Sequence, residues 1–134
     1  MKSTFVKDGL YRKGFWICWD CTSKEAILFI NKKIGKYLKK NGDGPFEDTN
    51  KDNLALGMTY CTSDEKYVII HFGEKIIKKS TVEHEVLHLC FSVFRCIQLP
   101  INEHTEEAFN YYFEYIKRKI TKAIKNKKSV KQIK

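Results

Sequence analysis

At 134 residues the chain has the size of one small domain with a hydrophobic core, and 43% hydrophobic residues argue against a disordered protein. Nine of the 25 basic residues and none of the 16 acidic ones follow Glu114, so residues 1–114 are formally neutral and the net charge of +9 belongs to the C-terminal end. This distribution argues against a nucleic-acid-binding fold with a broad basic face, and no apolar run approaches the length of a membrane span.

The first third of the chain predicts two short strands and a helix. Residues 4–7 and 14–19 are β-prone runs separated by a glycine-containing turn. Thr22 and Glu25 form a capping box, in which the hydroxyl caps a backbone N–H and the carboxylate reaches back. We therefore expect a helix from this point to about Lys40, with isoleucine and leucine residues along its apolar side.

A C-x-x-C pair, Cys18 and Cys21, stands immediately before this helix. Together with Cys61, and with His71 or His104, it could complete a structural zinc site, although the sequence has no second C-x-x-C. Its place before the helix cap would also suit a redox pair. The simplest interpretation is two reduced, partly buried cysteines.

Two β-prone segments occupy the middle of the chain. Residues 54–62 and 66–72 are joined by Ser-Asp-Glu, which predicts a hairpin. The run 67–72 is apolar enough for a central or groove-lining strand. We expect that this strand could pair with an extended substrate by β-addition.

Two further helices are predicted near the C-terminal end. Ser80–Glu83 reads as a second capping box that starts a helix reaching about Ile97. Pro100 blocks its continuation. Asn102 can cap a third helix that extends roughly to Asn126.

The second helix contains an H-E-x-x-H motif, His84-Glu85-Val-Leu-His88. On a helix the two histidines lie four residues apart on one face and can bind a single Zn²⁺, while Glu85 can polarise a zinc-bound water. The packing positions around the motif are uncharged, apart from Glu83 of the capping box. Burying two imidazoles and a carboxylate without a metal would be costly, so the motif predicts a metal site.

A catalytic zinc needs a third protein ligand and an open position. The acidic and histidine residues after Pro100 that could serve are Glu103, His104, Glu106 and Glu107. By helical angle, Glu106 lies nearer the apolar face of the third helix than Glu107 does. Tyr111, one turn after Glu107, could donate to an oxyanion or could pack between helices.

A resemblance to known families bears on this choice. The motif His84 to His88, eighteen further residues and then Glu107 resembles gluzincin-type zinc aminopeptidases, and Glu107-Ala-Phe-Asn-Tyr-Tyr-Phe-Glu is similar to their Glu-Gly-Phe-Ala-x-Tyr-Phe-Glu ligand helix. This likeness covers residues 81–114 and implies that Glu107 is the ligand, with Glu106 in place of the family's preceding Asn. Their exopeptidase motif is absent, so aminopeptidase specificity is not implied. Most of residues 65–120 also resembles small phage-encoded proteins with an H-E-x-x-H helix.

These observations predict an α+β, zincin-like domain with a short, mostly antiparallel sheet packed on three helices. The predicted activity is zinc-dependent hydrolysis of a peptide or protein substrate. The assigned roles are Zn²⁺ binding by His84, His88 and Glu107, general-base catalysis by Glu85, and a catalytic contribution from Tyr111. The alternative is a zinc-binding structural or interaction protein without turnover, including one of phage origin.

The predicted organisation is a single metal-binding domain, residues 1–120, followed by a basic tail, residues 121–134. The tail could contact nucleic acid or an acidic partner, and no membrane partner is expected. An odd number of cysteines and the lack of a secretory signal in this sequence predict a cytoplasmic protein, or one of the host cytoplasm or virion if phage-encoded.

Overall fold

The structure is a computed structural model that describes residues 1–11, 13–49, 56–63, 67–73 and 77–127, without the side chains of residues 67, 68 and 127. The elements in chain order are β1 (Lys2–Lys7), β2 (Gly14–Trp19), α1 (Ser23–Lys40), β3 (Gly57–Cys61), β4 (Tyr67–Phe72), α2 (Lys79–Cys96) and α3 (Glu106–Lys127). The predicted α+β class, with one short sheet and three helices, is confirmed.

The four strands form one mixed sheet in the order β1-β2-β4-β3. The β1–β2 and β3–β4 pairings are antiparallel, and the central β2–β4 pairing is parallel. Because β4 is hydrogen-bonded on both sides, the expectation that residues 67–72 accept a substrate strand is wrong. Its nearly continuous apolar sequence is typical of a strand in the interior of a sheet, and the edge strand next to it is β3.

The sheet separates two hydrophobic cores. Along β2, Phe15, Ile17 and Trp19 face α2 and α3, whereas Cys18 faces α1, as the two-residue period of a strand requires. The α1 side is filled by Ala26, Ile30, Ile34 and Leu38, the positions expected from helical periodicity. The molecule therefore has three layers, with α1 on one face of the sheet and α2 and α3 on the other.

The predicted start of one helix is confirmed and the starts of two others are shifted. Thr22 caps α1, and the Glu25 N–H donates to its Oγ1 at 3.2 Å. The capping box predicted at Ser80 is wrong, because α2 already begins at Lys79, after an N-cap residue without a side-chain cap. Asn102 caps only the turn before α3, where its Oδ1 accepts the His104 N–H at 2.8 Å.

Helix α3 continues through residue 120 to Lys127. Ile120 and Ile124 are both fully buried in the core shared with α2 and the sheet. The described part of the predicted tail, residues 121–127, is therefore helical and contributes to the core, and residues 128–134 lie outside the described residues. None of the described helices is long and apolar enough to cross a membrane.

Candidate metal centre

His84 and His88 lie on the outer face of α2, where their rings meet edge to face. Their Nε2 atoms are 3.2 Å apart. Two nitrogens bound to one tetrahedral zinc, with bonds of about 2.0–2.1 Å, would be about 3.3 Å apart. The pair therefore has the spacing of two ligands to one ion, which is also the spacing of a hydrogen-bonded pair of imidazoles.

Glu85 is the buried member of the motif, with 4% of its surface exposed. Its Oε2 accepts a short hydrogen bond from Thr59 Oγ1 on β3, and its Oε1 lies 3.9 Å from His84 Nε2. The two histidines are exposed, the His84 side chain by 68%. The burial expected for all three side chains holds for Glu85 alone, because the buried residues of α2 centre on the side of the helix that faces away from its histidines.

Gly57 on β3 makes room for this carboxylate. A Cβ atom at Gly57 would lie 2.8 Å from Glu85 Cγ and 2.9 Å from Oε1, closer than side-chain carbons approach one another. Gly57 and Thr59 thus position Glu85, and sequence reasoning assigned neither of them to the site. A glycine inside a β-prone run was the available signal, since it often marks a close approach to backbone.

An open cleft of about 430 Å³ runs between β3 and the histidine face of α2. Its β3 wall includes Thr59 and Cys61, and its α2 wall includes both histidines and Arg95. Within the described residues β3 pairs only with β4, so its other edge borders this cleft. The cleft can therefore place an extended chain across Glu85 and the two imidazoles.

The structure does not bring Glu107 to the histidine pair. Helix α3 runs antiparallel to α2, since Phe109 packs against Phe91 and Lys117 Nζ lies 3.7 Å from Glu83 Oε1. His84 follows Glu83 directly, so it lies at nearly the same position along the paired helices as Lys117. Glu107 lies ten residues before Lys117, about 15 Å along the axis of α3.

Glu107 is also exposed and lies about 200° around α3 from Phe109, whose side chain faces α2. Glu106 is exposed as well. Within the described part of the chain, no group of three or more His, Cys, Asp or Glu side chains could hold a metal ion. Two imidazoles and a neighbouring carboxylate fit a zinc site in part, and the third ligand stays a prediction.

Tyr111 lies outside the cleft, on the outer face of α3, with 73% of its surface exposed. It is therefore neither an oxyanion donor near the histidines in this arrangement nor a side chain packed between helices. Glu103 and His104, the remaining ligand candidates, form an exposed pair 3.5 Å apart in the turn before α3.

The cysteine pair does not form a cluster with the other sulfur and imidazole groups. Cys18 is buried under α1, and burial, followed by the neighbouring Cys21, raises the pKa of its thiol to about 12. His71 Nε2 lies 2.8 Å from the Cys21 carbonyl oxygen, whereas Cys61 lies in the cleft beside the histidines. All five cysteines are free thiols in the structure.

Comparison of the chain with family models, with curated proteins and with solved structures gives no match.

Proposed function

We propose that this chain is a zinc-dependent hydrolase of peptide bonds that works at the His84–Glu85–His88 motif. The observation that carries the proposal is the arrangement of the motif in the cleft. Two imidazole nitrogens converge to 3.2 Å beside a buried carboxylate that β3 holds in place. The two histidines of an H-E-x-x-H helix are two of the three protein ligands of a hydrolytic zinc site, and the glutamate beside them is its general base.

The chain's own residues supply the base. Thr59 holds Oε2 of Glu85, which leaves Oε1, directed toward His84, to accept a proton from water and to return it to the leaving amine. When bound, zinc would polarise the water and the substrate carbonyl. Because Glu85 is buried against β3, it keeps this orientation without reorganisation during the reaction.

The edge strand β3 supports a peptide substrate. Its outer edge offers backbone N–H and C=O groups to a chain in extended conformation, and Thr59 on this strand contacts Glu85 directly. Such a chain would be held by main-chain hydrogen bonds, with its scissile bond over the motif. β3 thus takes the role that the sequence suggested for β4.

The test is Glu85→Gln compared with Glu83→Gln. Both replace a glutamate on α2, but Glu83 forms its ion pair with Lys117 on the side that faces α3. We expect Glu85→Gln to lower the cleavage rate of a fluorogenic peptide library by about 10²-fold or more while zinc content stays at the wild-type value. Glu83→Gln should retain both. Full activity in Glu85→Gln would refute the mechanism.

The third ligand can be located by metal analysis. We expect His84→Ala and His88→Ala to lose zinc, as measured by mass spectrometry of the purified protein. Glu107→Ala should retain it if the described arrangement of α2 and α3 persists when zinc is bound. Alanine replacements of the acidic residues outside the described ranges, Asp52, Asp64, Glu65 and Glu74, complete the survey.

A second candidate function is zinc binding without turnover, as in a structural or interaction protein. It is favoured by the 68% exposure of the His84 side chain, because a zinc ion held at the surface could take its remaining ligands from a partner. Stoichiometric zinc together with no cleavage in the same peptide library would support it over hydrolysis.

A further inference from the structure

A second, larger cleft of about 620 Å³ lies between the start of α2 and the C-terminal half of α3. We call it the basic groove, because it is lined by the cations Lys79, Lys117, Arg118, Lys122 and Lys125. We propose that the basic groove binds the phosphate backbone of a single-stranded nucleic acid. This inference does not depend on the proposed zinc chemistry, since the basic groove shares no residue with the cleft around the histidines.

The charges of the basic groove are poorly balanced by the protein itself. Among the described residues that line it, Glu83 is the only carboxylate, and Lys117 already lies 3.7 Å from that carboxylate and 2.9 Å from Glu114. Among the described residues, none of the other four cations has a carboxylate within salt-bridge distance. Like charges three and four residues apart on a helix repel one another, so a bound anion would relieve this repulsion.

The first turn of α2 adds to the positive potential. The N-cap residue of this helix makes no side-chain cap, and its first turn contains no acidic residue. The positive end of the helix dipole is therefore not compensated there. Lys79 in this turn and Val82 after it both line the basic groove, so a phosphate in the groove would lie near backbone N–H groups as well as lysines.

An extended strand fits the basic groove better than a compact phosphate compound does. Arg118, Lys122 and Lys125 follow one face of α3 at positions i, i+4 and i+7, which makes a row about 10 Å long. Among the described residues of the lining, apolar surface comes from Val82 and the methylene stems of the cations, and no aromatic or large aliphatic side chain encloses a base or sugar. A row of cations beside an open channel suits repeated backbone phosphates.

Tyr111 extends the same face of α3. It lies seven residues before Arg118, about 10 Å along the axis, and its ring is 73% exposed. The carboxylate of Glu114 lies between Tyr111 and Arg118 on this face, so the ring is a stacking surface separate from the row of cations. This position gives Tyr111 a role that neither catalysis nor helix packing explains.

The test measures fluorescence anisotropy of a labelled 15-nucleotide single strand with the full chain at 50 mM salt. The groove variant is Arg118→Gln/Lys122→Gln/Lys125→Gln. The control is Lys32→Gln/Lys36→Gln/Lys39→Gln, which removes the same charge at the same i, i+4, i+7 spacing from exposed positions of α1. Circular dichroism verifies that both variants keep the wild-type fold.

We expect at least a tenfold loss of affinity in the groove variant and less than a twofold loss in the control. The slope of log affinity against log salt concentration should become shallower by roughly 2, at about 0.7 for each of the three phosphate contacts removed. Tyr111→Leu should weaken binding several-fold without changing the salt dependence.

Three results would overturn the proposal. One is the absence of wild-type binding at 50 mM salt. Another is an equal loss in both variants, which would assign binding to net charge alone. The third is equally tight binding of a polyglutamate of matched charge, which would identify an acidic protein segment as the partner instead.

Discussion

Gly57→Ala tests the contact on which the candidate metal centre depends. A methyl group at this position would lie 2.8 Å from Glu85 Cγ, and an ordinary contact between carbons is about 3.5–4.0 Å. Either the methyl group or the carboxylate must therefore move by roughly 1 Å. Glu85 is buried and bonded to Thr59, so it cannot move without losing that hydrogen bond.

The expected loss of stability follows from this overlap. Overpacking in a buried site costs about 1–3 kcal/mol. Replacing a glycine also restricts the unfolded chain, which stabilises the folded state by about 0.4–1 kcal/mol. Gly57→Ala should therefore lower the free energy of unfolding by roughly 1–2 kcal/mol. If Glu85 is the general base, a displacement of about 1 Å should also lower turnover by around 10²-fold.

The matched control is Gly35→Ala in α1. A Cβ atom at Gly35 would meet nothing within 4 Å, so the same substitution should stabilise the protein by about 0.5–1 kcal/mol. Thermal unfolding followed by circular dichroism should then separate the two variants by roughly 6–10 °C. Peptide cleavage by Gly35→Ala should equal that of the wild type.

A second substitution identifies the colliding group. Glu85→Asp shortens the side chain by one methylene and withdraws it from β3. In the Gly57→Ala background it should cost about 1 kcal/mol less than it costs alone, because there the shorter side chain also relieves the overlap with the new methyl group. If Gly57→Ala were as stable as Gly35→Ala, or if the two changes were additive, the packing of Glu85 against β3 would be refuted.

Other predictions concern the edge strand, the thiols and the end of α3. Thr59→Val should cost about 1–3 kcal/mol in urea unfolding, because the carboxylate it contacts loses its buried donor, and Thr59→Ser should not. Burial raises the pKa of both Cys18 and Cys90 to about 12, so iodoacetamide at pH 8 should label the exposed Cys61 well before either. The unfolded chain ionises these thiols from about pH 9, whereas the folded chain keeps them protonated until about pH 12. The unfolded state is therefore increasingly favoured over this range, and the urea midpoint should fall as pH rises from 9 toward 12. Ile124→Ala should cost about 2–5 kcal/mol, whereas an α3 that left the core at residue 120 would show almost no loss.

Local sequence patterns predicted those features that depend on local geometry. The alternation of Phe15, Ile17 and Trp19 with Cys18 specifies a strand that is covered on both faces, and the structure has it. The four-residue spacing of His84 and His88 is enough to bring their Nε2 atoms together on one helix.

The position of the third predicted ligand depends on a relation between two helices. The level of Glu107 relative to His84 is set by Phe109 packing against Phe91 and Phe94, and this register is not contained in the eighteen-residue spacing. The prediction of a cap at Ser80 was wrong for a related reason, because the start of α2 also depends on how the preceding chain is placed. Thr81 and Val82 already donate to the Lys78 carbonyl, so the chain leaving the sheet has entered the helix before the capping box.

The parallel pairing at the centre of the sheet also governs how the protein folds. Each outer pair, β1–β2 and β3–β4, joins strands that are neighbours along the chain, but the inner pair joins Ile17 to Ile70 across α1 and β3. Contacts between distant segments require closure of a long loop, which makes them slow to form. We expect the two hairpins to form early and the pairing of β2 with β4 to limit the refolding rate. Ile70→Val should therefore slow refolding more than Val6→Ala does in stopped-flow measurements.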